Sequence, residues 1–269
     1  MGQTKRLFFI YNPCSGRGLI RTKLFGILQV FSDAGYEMTV HPTRAGRDAV
    51  EQIRGLPDGY DLVVCSGGDG TLDEVVQGMM QREKKIPVGY IPAGTVNDFA
   101  RSLRIPRNME SAARIAVEGQ NYPVDIGTFN SEYFVYIAAF GVFTDVSYST
   151  SQDMKNVLGH MAYLLEGVKR LTNIPSYHIR LKSQEVTEEG DFIFGMVTNS
   201  RSVGGFKNII GRRVLFDDGV FEVTFIRRPQ NAAELQEILG AILLKEMNLK
   251  YMCSFRTACL EVAAEEPVP

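Results

Sequence analysis

Strong charge of either sign is missing from this chain. A formal net charge of −2 over 269 residues, with no block of like charges, offers nothing for a polyanion to bind and argues against nucleic-acid recognition. Cysteine is scarce: Cys14, Cys65, Cys253 and Cys259 are too few and too scattered for a disulfide framework or zinc-ligand spacing, which points to a reducing, cytoplasmic setting. Long apolar runs are absent as well. The longest, Phe134 to Phe143, is far too short to cross a bilayer. The opening MGQTKRLFFIYNP has only a brief apolar core before a loop, unlike a secretory leader, and Arg6 stands where myristoylation needs Ser or Thr. No low-complexity tract and no fixed-period repeat occurs.

What remains is a globular chain, 45% hydrophobic and 22% charged, long enough for one large or two medium domains. Its organising stretch is Asp61 to Val76, DLVVCSGGDGTLDEVV. Leu62 to Cys65 reads as a strand buried on both faces. Ser66-Gly67-Gly68-Asp69-Gly70-Thr71 then stops it, and Leu72, Val75, Val76 and Met79 follow at helical spacing. Strand, glycine turn and helix start aim backbone N–H groups and a positive helix end at one point, which suits a phosphate. A carboxylate there, Asp69, fits if a divalent cation bridges it to the phosphates or if it handles a proton. Thr71 with Glu74 also reads as a capping box, but the whole string favours the phosphate site.

Similar units flank this one. Arg6 to Tyr11 reads as a strand, followed by Asn12-Pro13-Cys14-Ser15-Gly16-Arg17-Gly18 and an amphipathic helix with Leu24, Ile27, Leu28 and Phe31. Asn12 and Ser15 can hydrogen-bond, and Arg17 or Arg21 can reach a phosphate. Cys14 has no base placed near it and reads as a packing residue. Tyr36 to Pro42 is a strand; Thr43 after it is equally a cap for a helix over Asp48 to Ile53 or a ligand contact. Ile86 to Pro92 gives a fourth strand, closed by Ala93-Gly94-Thr95-Val96-Asn97-Asp98, where Thr95 and Asp98 also read as a cap. Such strand ends share one rim in a doubly wound parallel sheet, so the loops are expected to surround one nucleotide.

From Val124 the pattern changes. Val124 to Phe129, Tyr133 to Phe140, Tyr177 to Leu181, Phe192 to Thr198 and Val220 to Ile226 are strand-like, interrupted by helical stretches at Asn156 to Leu171 and Ala232 to Glu246. The expectation is an α/β domain over 1–126 and a mainly β domain over 127–269, with Asp125 at the join. Gly204 to Lys207 and Asp217-Asp218-Gly219 read as turns. His41, His160 and His178 are isolated and read as structural.

The ordered motifs NPCSGRG, SGGDGTLDEVV, IPAGTVNDFA, VDIGTF and LFDDGVFEV resemble the bacterial diacylglycerol kinase and related lipid kinase family, which shares its GGDGT site with NAD kinases and phosphofructokinases. The likeness spans nearly the whole chain. It implies a fold like those two groups, and transfer of the ATP γ-phosphoryl group to a lipid hydroxyl, with Mg²⁺, at the surface of a membrane that the protein touches peripherally. By resemblance, Asn12, Pro13, Cys14, Ser15, Gly16, Thr43, Gly67, Gly68, Asp69, Gly70, Thr71, Leu72, Asp73, Glu74 and Thr95 would line the ATP site. Asp69, Asp98 and Asp125 would hold the catalytic magnesium. Asp218, with main-chain oxygens of Leu215 and Val220, would be a structural metal site rather than a plain turn. The lipid would be taken by the β domain, and a homodimer is a candidate assembly.

Two departures stand out. Asp73 replaces the Asn usual after GGDGTL, adding negative charge. The family's C-terminal Asp-Gly-Glu segment, whose Glu is implied as general base, would begin about where Leu260 to Pro269 stand, so the base lies beyond Pro269 or is lacking. Glu265 and Glu266 are outside such a motif and take no role. The alternatives at this level are an NAD kinase-like or sphingoid-base kinase, and a nucleotide-binding protein without turnover.

Overall fold

Strand β1 (Lys5–Tyr11), KRLFFIY, buries four residues in succession, Leu7 to Ile10, as a strand does when it is flanked on both edges and covered on both faces. A computed structural model of the chain describes residues 4–142, 174–203, 206–207, 214–244 and 248–268. In it β1 pairs in parallel with β2 (Tyr36–Pro42) and β3 (Leu62–Gly67), and β3 pairs with β4 (Val88–Pro92), giving the order β2-β1-β3-β4. Register sets Phe9 between Val40 and Val64. Strand β2, at one edge, alternates in burial, while β3 is buried throughout.

Five helices follow the strands: α1 (Ile20–Asp33), α2 (Asp48–Arg54), α3 (Asp69–Met80), α4 (Asp98–Ser102) and α5 (Met109–Glu118). Helices α1 and α5 cover one face, where Ile20, Ile27, Phe31, Met109, Ala112 and Ala113 pack on Leu7, Phe9, Leu62, Val64 and Ile91. Phe8 and Ile10 point to the other face, that of α2 and α3, which pack against each other. The expected doubly wound sheet is present. Asp48 anchors α2 to β2: its carboxylate bonds His41 Nε2 at 3.0 Å and accepts Arg44 N–H at 2.9 Å. The His41 contact holds its pKa below the usual carboxylate value. Thr43 is therefore not the cap of α2; its N–H donates to Tyr11 O at 2.8 Å. A hairpin, β5 (Gly127–Phe129) and β6 (Glu132–Phe134), packs on α3. It turns at Asn130 (φ 54), and β5 starts only at Gly127, where pairing with β6 begins, so the strand expected over Val124 to Phe129 is shortened at its start.

Contacts divide the chain into two compact units, Met1–Val135 and Tyr136–Pro269. The expected strand Tyr133 to Phe140 is split there into β6 and β7 (Ile137–Gly141).

The second unit is an antiparallel sheet built around β9 (Thr187–Thr198). Along one edge of β9 lie β8 (Tyr177–Lys182) and then β7, end to end; along the other lies β12 (Phe221–Arg227). Strand β13 (Met252–Thr257) pairs with β12 and β14 (Glu261–Ala264) with β8. Between β9 and β12 is a two-stranded ribbon, β10 (Ser202–Val203) with β11 (Phe206–Lys207). Helix α6 (Ala232–Leu244) buries Leu235, Ile238, Leu239 and Ile242, the i, i+3, i+4, i+7 pattern. The helix expected over Asn156 to Leu171, with His160, lies outside the described residues, as do Gly204 and Gly205.

The core of this sheet is aromatic. Phe225 meets Phe192 edge-on, with centroids 5.4 Å apart, and lies 5.6 Å from Phe140. Gly195 makes this possible: a Cβ there would sit 2.3 Å from the Phe140 ring and 2.6 Å from that of Phe225. Replacing Gly195 by Val forces both rings out of place, and thermal unfolding should show a loss of roughly 1–3 kcal/mol. An unchanged midpoint would mean that the rings do not need the gap.

Candidate functional site

Three turns meet at the carboxyl-terminal rim of the parallel sheet. Strand β3 runs to Gly67 and α3 already begins at Asp69, so the turn between them is Gly68 alone. Thr71 is thus inside the helix and does not form the expected capping box; Gly68 is the cap and uses no side chain. Thr71 and Leu72 N–H donate to Gly68 O, leaving the Asp69 and Gly70 N–H groups at the helix start without intrahelical acceptors. They are free to bind an anion, in the field of the positive helix end.

The β1–α1 turn lies against this one. Asn12 N–H donates to Ser66 O at 2.9 Å, and Gly68 N–H donates to Ser15 Oγ at 3.2 Å. Asn12 Oδ1 accepts Cys14 N–H, which folds the turn locally, and Asn12 Nδ2 reaches Thr71 Oγ1 at 3.4 Å. Gly16 (φ 56) passes under the third turn, where a Cβ would lie 2.4 Å from Ala93 O. That third turn is fastened to Gly67, whose carbonyl accepts Ala93 N–H at 2.8 Å, Gly94 N–H at 3.3 Å and the Tyr90 hydroxyl at 3.2 Å. A Cβ on Gly94 would lie 2.6 Å from Gly68 Cα, so the two backbones touch with no side chain between them.

Asp69 joins the turns electrostatically. Its Oδ2 accepts Asp98 N–H at 2.9 Å and its Oδ1 accepts Phe99 N–H at 3.3 Å, so it caps α4 from the start of α3. Asn97 (φ 53), not Thr95, precedes α4 as its cap residue, and Thr95 is exposed. Burial still dominates and, with the negative Asp98 adding to it, pushes the Asp69 pKa up to about 6 despite both N–H groups. Asp98 itself is 1% exposed, with Arg101 Nη1 at 3.6 Å. Asp125 is half-buried in the stretch leading to β5. Among the described residues no three of His, Cys, Asp or Glu could hold a metal ion, so Asp69, Asp98 and Asp125 form no ready-made cage. A magnesium ion bound chiefly by phosphates needs only one or two carboxylates, and the buried Asp69–Asp98 pair fits that donor set.

Other expected site residues do different work. Asp73 Oδ1 accepts Val135 N–H at 3.1 Å, bracing the hairpin, and Glu74 Oε1 accepts Arg47 N–H at 3.0 Å, bracing α2. Leu72 is in the core and offers only its backbone. Pro13 is half-buried, Cys14 and Gly70 are exposed, and Thr43 sits at the rim beside Tyr11. Sequence reading missed Tyr90 and Asn97. Asn97 clamps Gly94 through both its N–H and its carbonyl, and accepts from the Tyr90 hydroxyl at 3.4 Å. The one signal was a phenol in an otherwise apolar strand.

In the second unit, Asp218, expected as a metal ligand, lies beside a cation of the chain itself. One of its oxygens accepts from the Arg256 guanidinium and the other from Val220 N–H, and the Leu215 side chain is exposed. Beside them burial pushes the Glu222 carboxyl up to about 7, against the pull of Arg256.

Asp73 makes a pH test available. Burial first, then the charges of Glu132 and Glu74, raise its pKa from 3.8 to about 6. The folded state therefore holds the proton more tightly than the unfolded chain. This contribution to stability falls as pH rises from 3.8 to about 6 and is flat above that. Asp73→Asn keeps the acceptor for Val135 and removes the buried charge, so at pH 7.5 the variant should be more stable by roughly 1–3 kcal/mol. Denaturant unfolding at pH 5 and 7.5 checks it; equal stability at pH 7.5 would refute it.

Comparison with known proteins agrees with this geometry. Residues 6–129 match the diacylglycerol kinase catalytic domain. The chain is 36% identical over 236 residues to a diacylglycerol kinase of Staphylococcus carnosus, covering 87% of this chain and 76% of that one. It is 36% identical over 245 residues to the diacylglycerol kinase of Bacillus subtilis, covering 90% and 80%. The crystal structure of a diacylglycerol kinase from Bacillus anthracis strain Sterne shares the fold, with a TM-score of 0.74 at 22% identity, over 100% of this chain and 89% of that one. Another structure from that strain gives 0.79 at 24% identity, over 99% and 87%. Identity of 36% over 87–90% of the chain to curated relatives, with the three turns assembled on one rim, places the chain in the diacylglycerol kinase family.

Proposed function

We propose that this chain transfers the γ-phosphoryl group of ATP to the hydroxyl of diacylglycerol, giving phosphatidic acid. The observation that carries this reading is the convergence of the turns 12–18, 66–71 and 93–98 around the start of α3, with Asp69 held among them. Family membership supplies the reaction class.

Phosphoryl transfer needs positioning and charge neutralisation more than covalent chemistry. The free N–H groups of Asp69 and Gly70 bind phosphate oxygens, and the Ser15, Thr71 and Asn12 polar atoms orient them. Thr43, Thr95 and the backbone of Asn12 to Gly16 and Gly67 to Glu74 line the nucleotide, as the resemblance implies. Asp69 and Asp98 would hold Mg²⁺ together with the phosphates, and Asp125 would belong to the same acidic network, as the resemblance implies. An ion held there would offset phosphate charge and favour the ionised form of Asp69.

Residues 1–126 serve the nucleotide and 127–269 the lipid. No helix among the described residues is long and apolar enough to cross a membrane. The lipid is taken peripherally, at the membrane surface, as the resemblance implies.

Asp69→Asn retains an acceptor for the α4 N–H groups and removes the negative charge. Radiolabelled phosphate transfer from ATP to diacylglycerol in mixed micelles should then fall by about 100-fold or more. NAD and a sphingoid base serve as the competing acceptors in the same assay. Equal transfer by the variant, or phosphorylation of a competing acceptor in place of diacylglycerol, counts against the reading.

A further inference from the structure

Where the acidic turn Asp217-Asp218-Gly219 enters β12, Asp218 and Glu222 share one cation, Arg256 of β13. Asp218 Oδ2 accepts from Arg256 Nη2, and Asp218 Oδ1 accepts Val220 N–H at 3.4 Å. Arg256 Nε stands 3.4 Å from Glu222 Oε1, a charge contact without hydrogen-bond alignment. The Glu222 side chain is 5% exposed and that of Asp218 22%. Glu222 and Arg256 are direct partners across the β12–β13 ladder, so the sheet itself delivers the guanidinium to the turn.

The geometry points to Arg256 as the resident cation of this turn, filling the role that a divalent ion would otherwise have at Asp218, so that the second unit folds without metal there. The guanidinium serves both acids, hydrogen-bonded to Asp218 and in charge contact with Glu222. A calcium or magnesium ion needs about six or more oxygen ligands close around it. Arg256 already occupies one lone-pair direction of Asp218 Oδ2, and a divalent ion beside the guanidinium would be repelled by it. If Arg256 is removed, the two acids lose their cation, one of them almost without solvent. The turn then becomes a site that gains from a divalent ion.

This goes beyond the kinase reading and does not depend on it. Thermal unfolding is followed without nucleotide or lipid, in EDTA, in millimolar Mg²⁺ and in millimolar Ca²⁺. The wild-type midpoint should be the same in all three. Arg256→Gln should unfold several degrees lower in EDTA and regain part of the loss in either cation, and Arg256→Gln combined with Asp218→Asn should regain none. A wild-type midpoint that rises with either cation, with the rise abolished by Asp218→Asn, overturns the assignment. So does an Arg256→Gln midpoint unchanged in EDTA, or one that stays low in both cations. A wild-type rise that persists in Asp218→Asn arises elsewhere and leaves Arg256 as the cation here. If Arg256→Gln does not fold, the comparison of wild type with Asp218→Asn still decides.

Discussion

Asp69 accepts the first two N–H groups of α4 from a position at the first turn of α3, and the remaining features of the nucleotide rim depend on this one carboxylate. A hydrogen bond to a charged group contributes on the order of 1.5–3 kcal/mol. Two of them would ordinarily hold an acid well below its usual pKa. Here the pKa rises to about 6, so burial and the neighbouring Asp98 outweigh both. The protein alone therefore leaves Asp69 short of positive charge. On the proposed reading, that shortage is what a nucleotide-bound cation would supply, letting an acid sit at a phosphate site without repelling its ligand.

The carboxylate can only do this because backbones touch around it. Gly68 and Gly94 approach with no side chain between them, and Gly16 runs beneath Ala93. Tyr90 and Asn97 then set the shape of the third turn, with the phenol and the amide sharing one hydrogen bond. The result is a rim whose donors are main-chain groups. Such donors have no rotamers to lose, so the site is arranged before any ligand arrives.

Much of this was legible in the sequence, and for identifiable reasons. Buried parallel strands read as continuous apolar runs, so β1, β3 and β4 and the order of their turns followed from composition alone. Side-chain assignments within the turns were less legible, because a Thr or an Asp beside glycine satisfies several local rules at once. Thr71 and Glu74 match a capping box, yet α3 starts two residues earlier and Glu74 turns to Arg47. Asp73 looks like a phosphate neighbour in sequence, yet its partner, Val135, is 62 residues away. Strand β14 carries only Glu, Val and two Ala, all exposed, and owes its conformation to β8 rather than to its own residues. Arg256 was invisible for the same reason: only the β12–β13 register brings it to Glu222.

The chain thus handles its clustered acids in two ways. Asp69 is stabilised in part by the N–H groups of Asp98 and Phe99 and remains short of positive charge. Asp218 and Glu222 have a cation built in. The difference follows from what each place must do. On the proposed reading, a site that turns over must let its cation come and go with the nucleotide, and Asp69 is held by neutral donors that stay when the ion leaves. A turn that only joins strands has no such need, and a covalently attached guanidinium loses no translational freedom each time it binds. Its side chain still gives up rotamer entropy, on the order of 2 kcal/mol for a fully ordered arginine. The nearly enclosed carboxylate of Glu222 is what makes that loss tolerable, because an unpaired buried charge would cost more.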